Sequence, residues 1–275
     1  MMYIKTVKSL FPYILMIVCL IVFWQINKRE QTHGNIRQSL KKQNIRKGDI
    51  YIIFLLGGIM ICSLLLFQTA SIDLFSLMGI HGTSPDVNVG NIGQYFTMVI
   101  MMAVFPAIVE EFVFRGVVLQ GLRKNGAVVA VLVSSLLFSL YHMNAAQTAY
   151  QFIMGLVYAS VIIITGSLLL TMLLHFINNF IIITYTFIVT HQGAKLAWGT
   201  DPNFWNGYTI VTALVLAYVG LLMVYGLVKL LKRKGEKSGI ESWQRSNKKF
   251  SKSDYYGYIG CIAAAVGLWI TAIFI

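Results

Sequence analysis

Eight apolar stretches alternate with short polar connections along this chain. They cover about residues 10–26, 50–68, 95–122, 127–141, 147–164, 168–189, 208–228 and 255–275. A helix crosses a hydrocarbon core with ~20 consecutive apolar residues, so each stretch is expected to be a transmembrane helix. The pattern predicts an all-α, polytopic membrane protein with about eight transmembrane helices in one bundle. We expect a single integral membrane domain over residues 1–275, its motif-bearing core at about 95–189, enclosing an intramembrane polar cavity. Gly57-Gly58 in the second stretch permits close helix contact. Asn125-Gly126 and Gly166-Ser167 mark tight turns between stretches. Lys5 and Lys8 precede the first stretch much as they would in a signal peptide. No small-residue cleavage pattern follows, and Lys28 and Arg29 do, so a retained span is expected.

Composition agrees with this reading. The chain has 275 residues, 57% of them apolar and only 12% charged. The net charge of +12 lies mainly in the connections, where 18 of the 22 basic residues fall on one side of an eight-span topology. That is the positive-inside distribution, and it removes any need for a nucleic-acid partner. It predicts a multi-pass protein of the cell membrane with the basic loops 27–49 and 229–254 in the cytoplasm. The chain termini and the polar connections 69–94 and 190–207 would then lie outside, with Trp198 and Trp205 as interface anchors. Cys19, Cys62 and Cys261 fall inside apolar stretches without ligand spacing, as small apolar residues do.

The third stretch breaks the apolar pattern with Pro106-Ala-Ile-Val-Glu110-Glu111-Phe-Val-Phe-Arg115-Gly116. A charge at the centre of a membrane helix costs ~2.5–3.5 kcal/mol even on the lenient insertion scale, so these groups must be paired or used. Glu111 and Arg115 are four apart with the acid on the N-terminal side, the favourable order for an ion pair. Glu110 is turned by roughly 100° from Glu111 and is the carboxylate left for chemistry. Pro106, four residues before Glu110, removes one backbone hydrogen bond and loosens that turn.

Further polar groups occur in two other stretches. Phe138 and His142 share a helix face at i, i+4, as do His175 and Asn179, with Asn178 pointing elsewhere. At ~1.5 Å per residue, Glu110 and His142 lie roughly 18 and 22 Å from the inner ends of their spans, and His175 and Asn179 roughly 12 and 18 Å. Three helices can therefore bring their polar groups to one level. Gly-x-Ser-x-Gly, a Cys nucleophile beside a His, and His-Glu-x-x-His are all missing. A carboxylate, two imidazoles and an amide suit hydrolysis by activated water. Glu110 can serve as general base, His142 can orient the water, and His175 and Asn179 can donate to the oxyanion at a peptide carbonyl.

Glu-Glu-x-x-x-Arg at 110–115, Phe-x-x-x-His at 138–142 and His-x-x-x-Asn at 175–179 stand in this order on three apolar helices. Together they resemble the three motifs of the CAAX prenyl endopeptidase and bacteriocin-processing family. The resemblance implies an intramembrane endopeptidase in which Glu110 acts with His142 on water while His175 and Asn179 stabilise the oxyanion. Glu111 and Arg115 would support that set. It implies a glutamate-dependent mechanism that requires no cofactor, with zinc on Glu110, His142 and His175 as the minority reading. The expected partners are the lipid bilayer and a membrane-associated peptide or protein substrate. Two other readings stay open. One is a non-catalytic immunity or scaffold protein that keeps the motifs for folding. The other is a proton- or cation-coupled carrier, against which the lack of paired repeats counts.

Overall fold

Seven helices account for most of what the computed structural model describes, namely residues 2–29, 47–48, 50–60, 91–191 and 252–274, with scattered positions at 75, 79 and between 214 and 229. They are α1 (Met2–Arg29), α2 (Ile50–Met60), α3 (Ile92–Gly121), α4 (Ala127–Tyr141), α5 (Ala145–Thr165), α6 (Leu168–His191) and α7 (Lys252–Phe274). Among the described residues there is no strand. Four helices are long and apolar enough to cross a membrane: Ile92–Gly121, Gln147–Thr165, Leu168–Ile188 and Tyr255–Ile273. The apolar parts of the other three, Pro12–Lys28, Ile50–Met60 and Ala127–Tyr141, are shorter. The seventh stretch as a span, the distal part of the second, and most of both basic loops lie outside the described residues. So do His33, His81, Cys62, Trp198 and Trp205.

The local chemistry explains where the central elements start and stop. Asn91 caps α3, its side-chain oxygen accepting the Gln94 N–H at 2.9 Å and satisfying one orphan donor of the first turn. Between α3 and α4, Gly126 takes φ +90°, a region open to glycine. Gly166 ends α5 in the left-handed conformation, and its N–H closes the helix on the Ile162 carbonyl at 2.7 Å.

α3 is the helix around which the others assemble. It is α-helical at Ile92–Met98 and Phe105–Glu111, with π-helical turns at Val99–Val104 and Phe112–Val118. A widened turn, or one that lacks a proline N–H, leaves carbonyls open to other donors. In a lipid setting those donors must come from neighbouring helices. Four neighbours supply one each, three to the irregular turns and one to the C-terminal end of α3. Asn27 of α1 donates to the Val117 carbonyl at 2.8 Å, and Ser134 of α4 to that of Phe114 at 2.9 Å. Tyr258 of α7 donates to the Gly121 carbonyl at 3.0 Å, and Asn179 of α6 to that of Met102 at 3.1 Å. The outer side of α3 carries Phe96, Ile100, Met101, Phe105 and Ile108, all exposed and apolar, as suits a face against acyl chains.

α1 and α7 pack along one seam, where Phe23 stacks on Tyr258 with ring centroids 5.4 Å apart. Cys19 and Cys261 are buried on the same two helices. α4 and α5 approach most closely at Gly155, where an added Cβ would stand 2.9 Å from the Ser135 Cβ and 3.0 Å from its Cα. Replacing Gly155 with Val is expected to push α5 away from α4 and lower the thermal unfolding temperature in detergent, overpacking costing about 1–3 kcal/mol. Gly260→Val, with open space around its Cβ, should leave that temperature unchanged. Equal unfolding temperatures for both variants would contradict the close approach.

Candidate active site

The α-helical turn between the two π segments of α3 delivers Glu110 and Glu111 to the interior, where both are buried. Glu111 is engaged through one oxygen, and its Oε2 has no partner among the described residues. Its Oε1 accepts Arg115 Nη1 at 2.9 Å, the i, i+4 pair expected from the spacing, and also His175 Nδ1 at 2.9 Å. Arg115 spreads its fork across helices, for Nη2 donates to the Gly155 carbonyl of α5 at 3.2 Å. Its guanidinium lies 4.2 Å from the Phe138 ring centroid and 5.2 Å from that of Tyr158. A cation with no water around it gains from such faces. Tyr158 also stacks on His175 at 5.0 Å, and Phe138 meets the same imidazole edge-on at 5.8 Å. His175 is therefore held by a carboxylate at one nitrogen and by two rings on its sides.

Glu110 is the other kind of carboxylate. Its Oε2 is buried and has no hydrogen-bond partner among the described residues. His175 Nε2 lies 4.0 Å from it. That separation is too long for a direct hydrogen bond and short enough for one small group to touch both atoms.

His142 caps the C-terminus of α4 instead of lying within the helix, and the next residue, Met143, has φ +49°. Its Nδ1 lies 2.8 Å from the Phe138 carbonyl. A carbonyl only accepts, so that contact puts the proton on Nδ1 and leaves Nε2 as the acceptor of the neutral ring. The ring also meets Phe138 edge-on at 4.9 Å, which makes Phe138 the link between the two histidines. Asn179 donates to the Met102 carbonyl and accepts from Asn178 Nδ2 at 3.1 Å. Asn178 in turn accepts from the Tyr150 hydroxyl at 2.9 Å.

Of the six residues singled out from the sequence, Glu110, Glu111, Arg115 and His175 thus form one contact group. His142 reaches the group through Phe138, and Asn179 lies on the side of α3 that precedes Glu110. Phe138 also faces the buried cation. Sequence reasoning missed Tyr158, the Gly155 carbonyl and the Tyr150–Asn178 pair. The signal for the tyrosines was present: two phenols in an apolar stretch each need a partner when buried. Among the described residues no three His, Cys, Asp or Glu side chains are grouped so as to hold a metal ion.

The geometry gives a direct prediction for the ion pair. Arg115→Ala leaves Glu111 buried without its strongest partner, a loss of about 3–5 kcal/mol that should abolish accumulation of folded protein in the membrane. Arg115→Lys should rescue it only in part, because an ammonium cannot reproduce the fork that bridges Glu111 and Gly155. Immunoblots of membrane fractions and thermal unfolding in detergent test this. Normal accumulation of Arg115→Ala would contradict it.

The comparison with known proteins bears on the same residues. Residues 92–181 match the family model described as Type II CAAX prenyl endopeptidase Rce1-like. No curated protein and no solved structure gives a match. The matched segment begins with α3 and ends in α6, so it contains all three motifs and every contact of the site just described. The match supports a CAAX-type protease, a membrane-embedded hydrolase. The segment that carries Glu110, His142, His175 and Asn179 is therefore similar to the Rce1-like type II CAAX prenyl endopeptidases.

Proposed function

We propose that this protein is an intramembrane endopeptidase that cleaves a membrane-associated peptide or protein with water activated by Glu110. One observation carries the reading. Of two adjacent buried carboxylates, Glu111 accepts from Arg115 and His175 through Oε1, while Glu110 accepts from no described residue and holds its Oε2 4.0 Å from His175 Nε2. A structural ion pair needs only the first carboxylate.

The chemistry follows from the groups available. Glu110 takes a proton from water as the oxygen attacks the scissile carbonyl carbon, and His142 Nε2, an acceptor, orients that water. The carbonyl oxygen becomes an oxyanion. Asn179 retains one N–H beyond the one given to Met102, and His175, when both ring nitrogens carry protons, donates through Nε2 while Glu111 holds Nδ1. The C–N bond then breaks, and the proton held by Glu110 passes to the leaving amine. Residues of this chain and water suffice for each step, with no cofactor.

In this reading the polar groups line a cavity enclosed by about eight crossings in the cell membrane, with loops 27–49 and 229–254 on the cytoplasmic side. The bilayer supplies the substrate by lateral approach. Cells carrying Glu110→Gln should accumulate an uncleaved precursor in their membranes while the variant protein itself accumulates normally. Comparative membrane proteomics against wild type reads both. Loss of cleavage should be on the order of 10³-fold or more, since the general base and the water it positions go together. Unchanged processing by Glu110→Gln and by His175→Ala would support the non-catalytic immunity or scaffold role instead.

A further inference from the structure

A directional chain of side-chain hydrogen bonds crosses from α5 through α6 into α3. The Tyr150 hydroxyl donates to Asn178 Oδ1 at 2.9 Å, Asn178 Nδ2 to Asn179 Oδ1 at 3.1 Å, and Asn179 Nδ2 to the Met102 carbonyl at 3.1 Å. Its direction is fixed at the far end. Pro106 has no N–H to give the carbonyl four residues back, which is that of Met102, and a carbonyl only accepts. Asn179 must therefore turn its nitrogen to Met102 and its oxygen to Asn178. Asn178 must then turn its nitrogen to Asn179 and its oxygen to Tyr150, which donates. Tyr150 and Asn178 are 2% and 4% exposed, so water cannot easily replace either partner. If the Asn179 amide turned over, two oxygens would face each other at Met102 and the whole chain would lose its pairing.

We infer that Tyr150 and Asn178 are positioning residues for Asn179. They hold its NH₂ edge in the orientation that satisfies Met102 and leaves the second N–H for the carbonyl oxygen of the scissile bond. The inference rests on the protease reading given above. Neither residue touches substrate; both act through the Asn179 amide.

The test uses purified full-length protein in detergent and a farnesylated peptide ending in Cys-aliphatic-aliphatic-Met. Tyr150→Phe should lower kcat on the order of tenfold with KM within about twofold, because an oxyanion donor is lost in the transition state and not in ground-state binding. Asn179→Ala should lower kcat by about 10²-fold, and adding Tyr150→Phe to it should cost nothing more. Should Tyr150→Phe fail to accumulate, Asn178→Asp replaces it in the same cycle, since a carboxylate accepts from Tyr150 but cannot donate to Asn179. Losses that multiply in the double variant, or an unaltered kcat in the single one, would overturn the positioning role while leaving the protease reading intact. Peptide cleavage that persists in Glu110→Gln would overturn the protease reading itself.

Discussion

A carboxylate with no water around it must be shared among donors, and Glu111 is shared by two. Arg115 Nη1 and His175 Nδ1 both reach its Oε1 at 2.9 Å. Through Arg115 the same carboxylate is tied to the backbone of α5, and through His175 to α6. Phe138 of α4 lies against the guanidinium and the imidazole, so a fourth helix joins the group. One desolvated anion thereby sets the relative placement of α3, α4, α5 and α6. Removing water from such a group is costly, and a buried pair alone is weak grounds for stability. Its stronger effect is on geometry, because few arrangements of four helices can satisfy all these donors at once.

The irregular backbone of α3 makes a second constraint that works with the first. Two π segments, a proline and the helix's C-terminal end leave carbonyls that the helix cannot fully satisfy by itself, and side chains from α1, α4, α6 and α7 meet them. A regular α-helix would offer its neighbours only side chains to pack on. α3 also offers acceptors, each of which fixes the rotation and height of the helix that donates to it. The α-helical turn left between the π segments carries both glutamates, so the most constrained part of the bundle is also the part that bears the chemistry. Turns of this kind recur at functional sites.

Much of this could be read from the chain, because charge in an apolar stretch is rare and helical spacing is regular. The Glu111–Arg115 pair and the separate job of Glu110 follow from i, i+4 spacing and the turn between neighbouring residues. His175 and Glu110 coming together follows from motif order and matched depth. What escaped was what spacing cannot carry. Nothing in the sequence says that His175 bonds Glu111 through Nδ1, since that depends on the rotation of α6 about its axis. The role of Tyr158 as a stacking surface depends on a contact between two helices, not on a period within one. α4 ends at Tyr141 as the apolar stretch does, but spacing does not say that the His142 imidazole folds back onto the Phe138 carbonyl. The hydrogen bond that Pro106 removes is legible in the sequence, but not that Asn179 takes up the Met102 carbonyl.

The central claim is that two neighbouring glutamates have different jobs because only one of them is tied down. A cryo-electron microscopy structure in lipid nanodiscs, at a resolution that defines side chains, measures this directly. The account predicts Glu111 between Arg115 and His175, with the Glu110 carboxylate turned inward toward His175 Nε2 across about 4 Å. Glu110 bound by Arg115, or pointing outward among acyl chains, would contradict it.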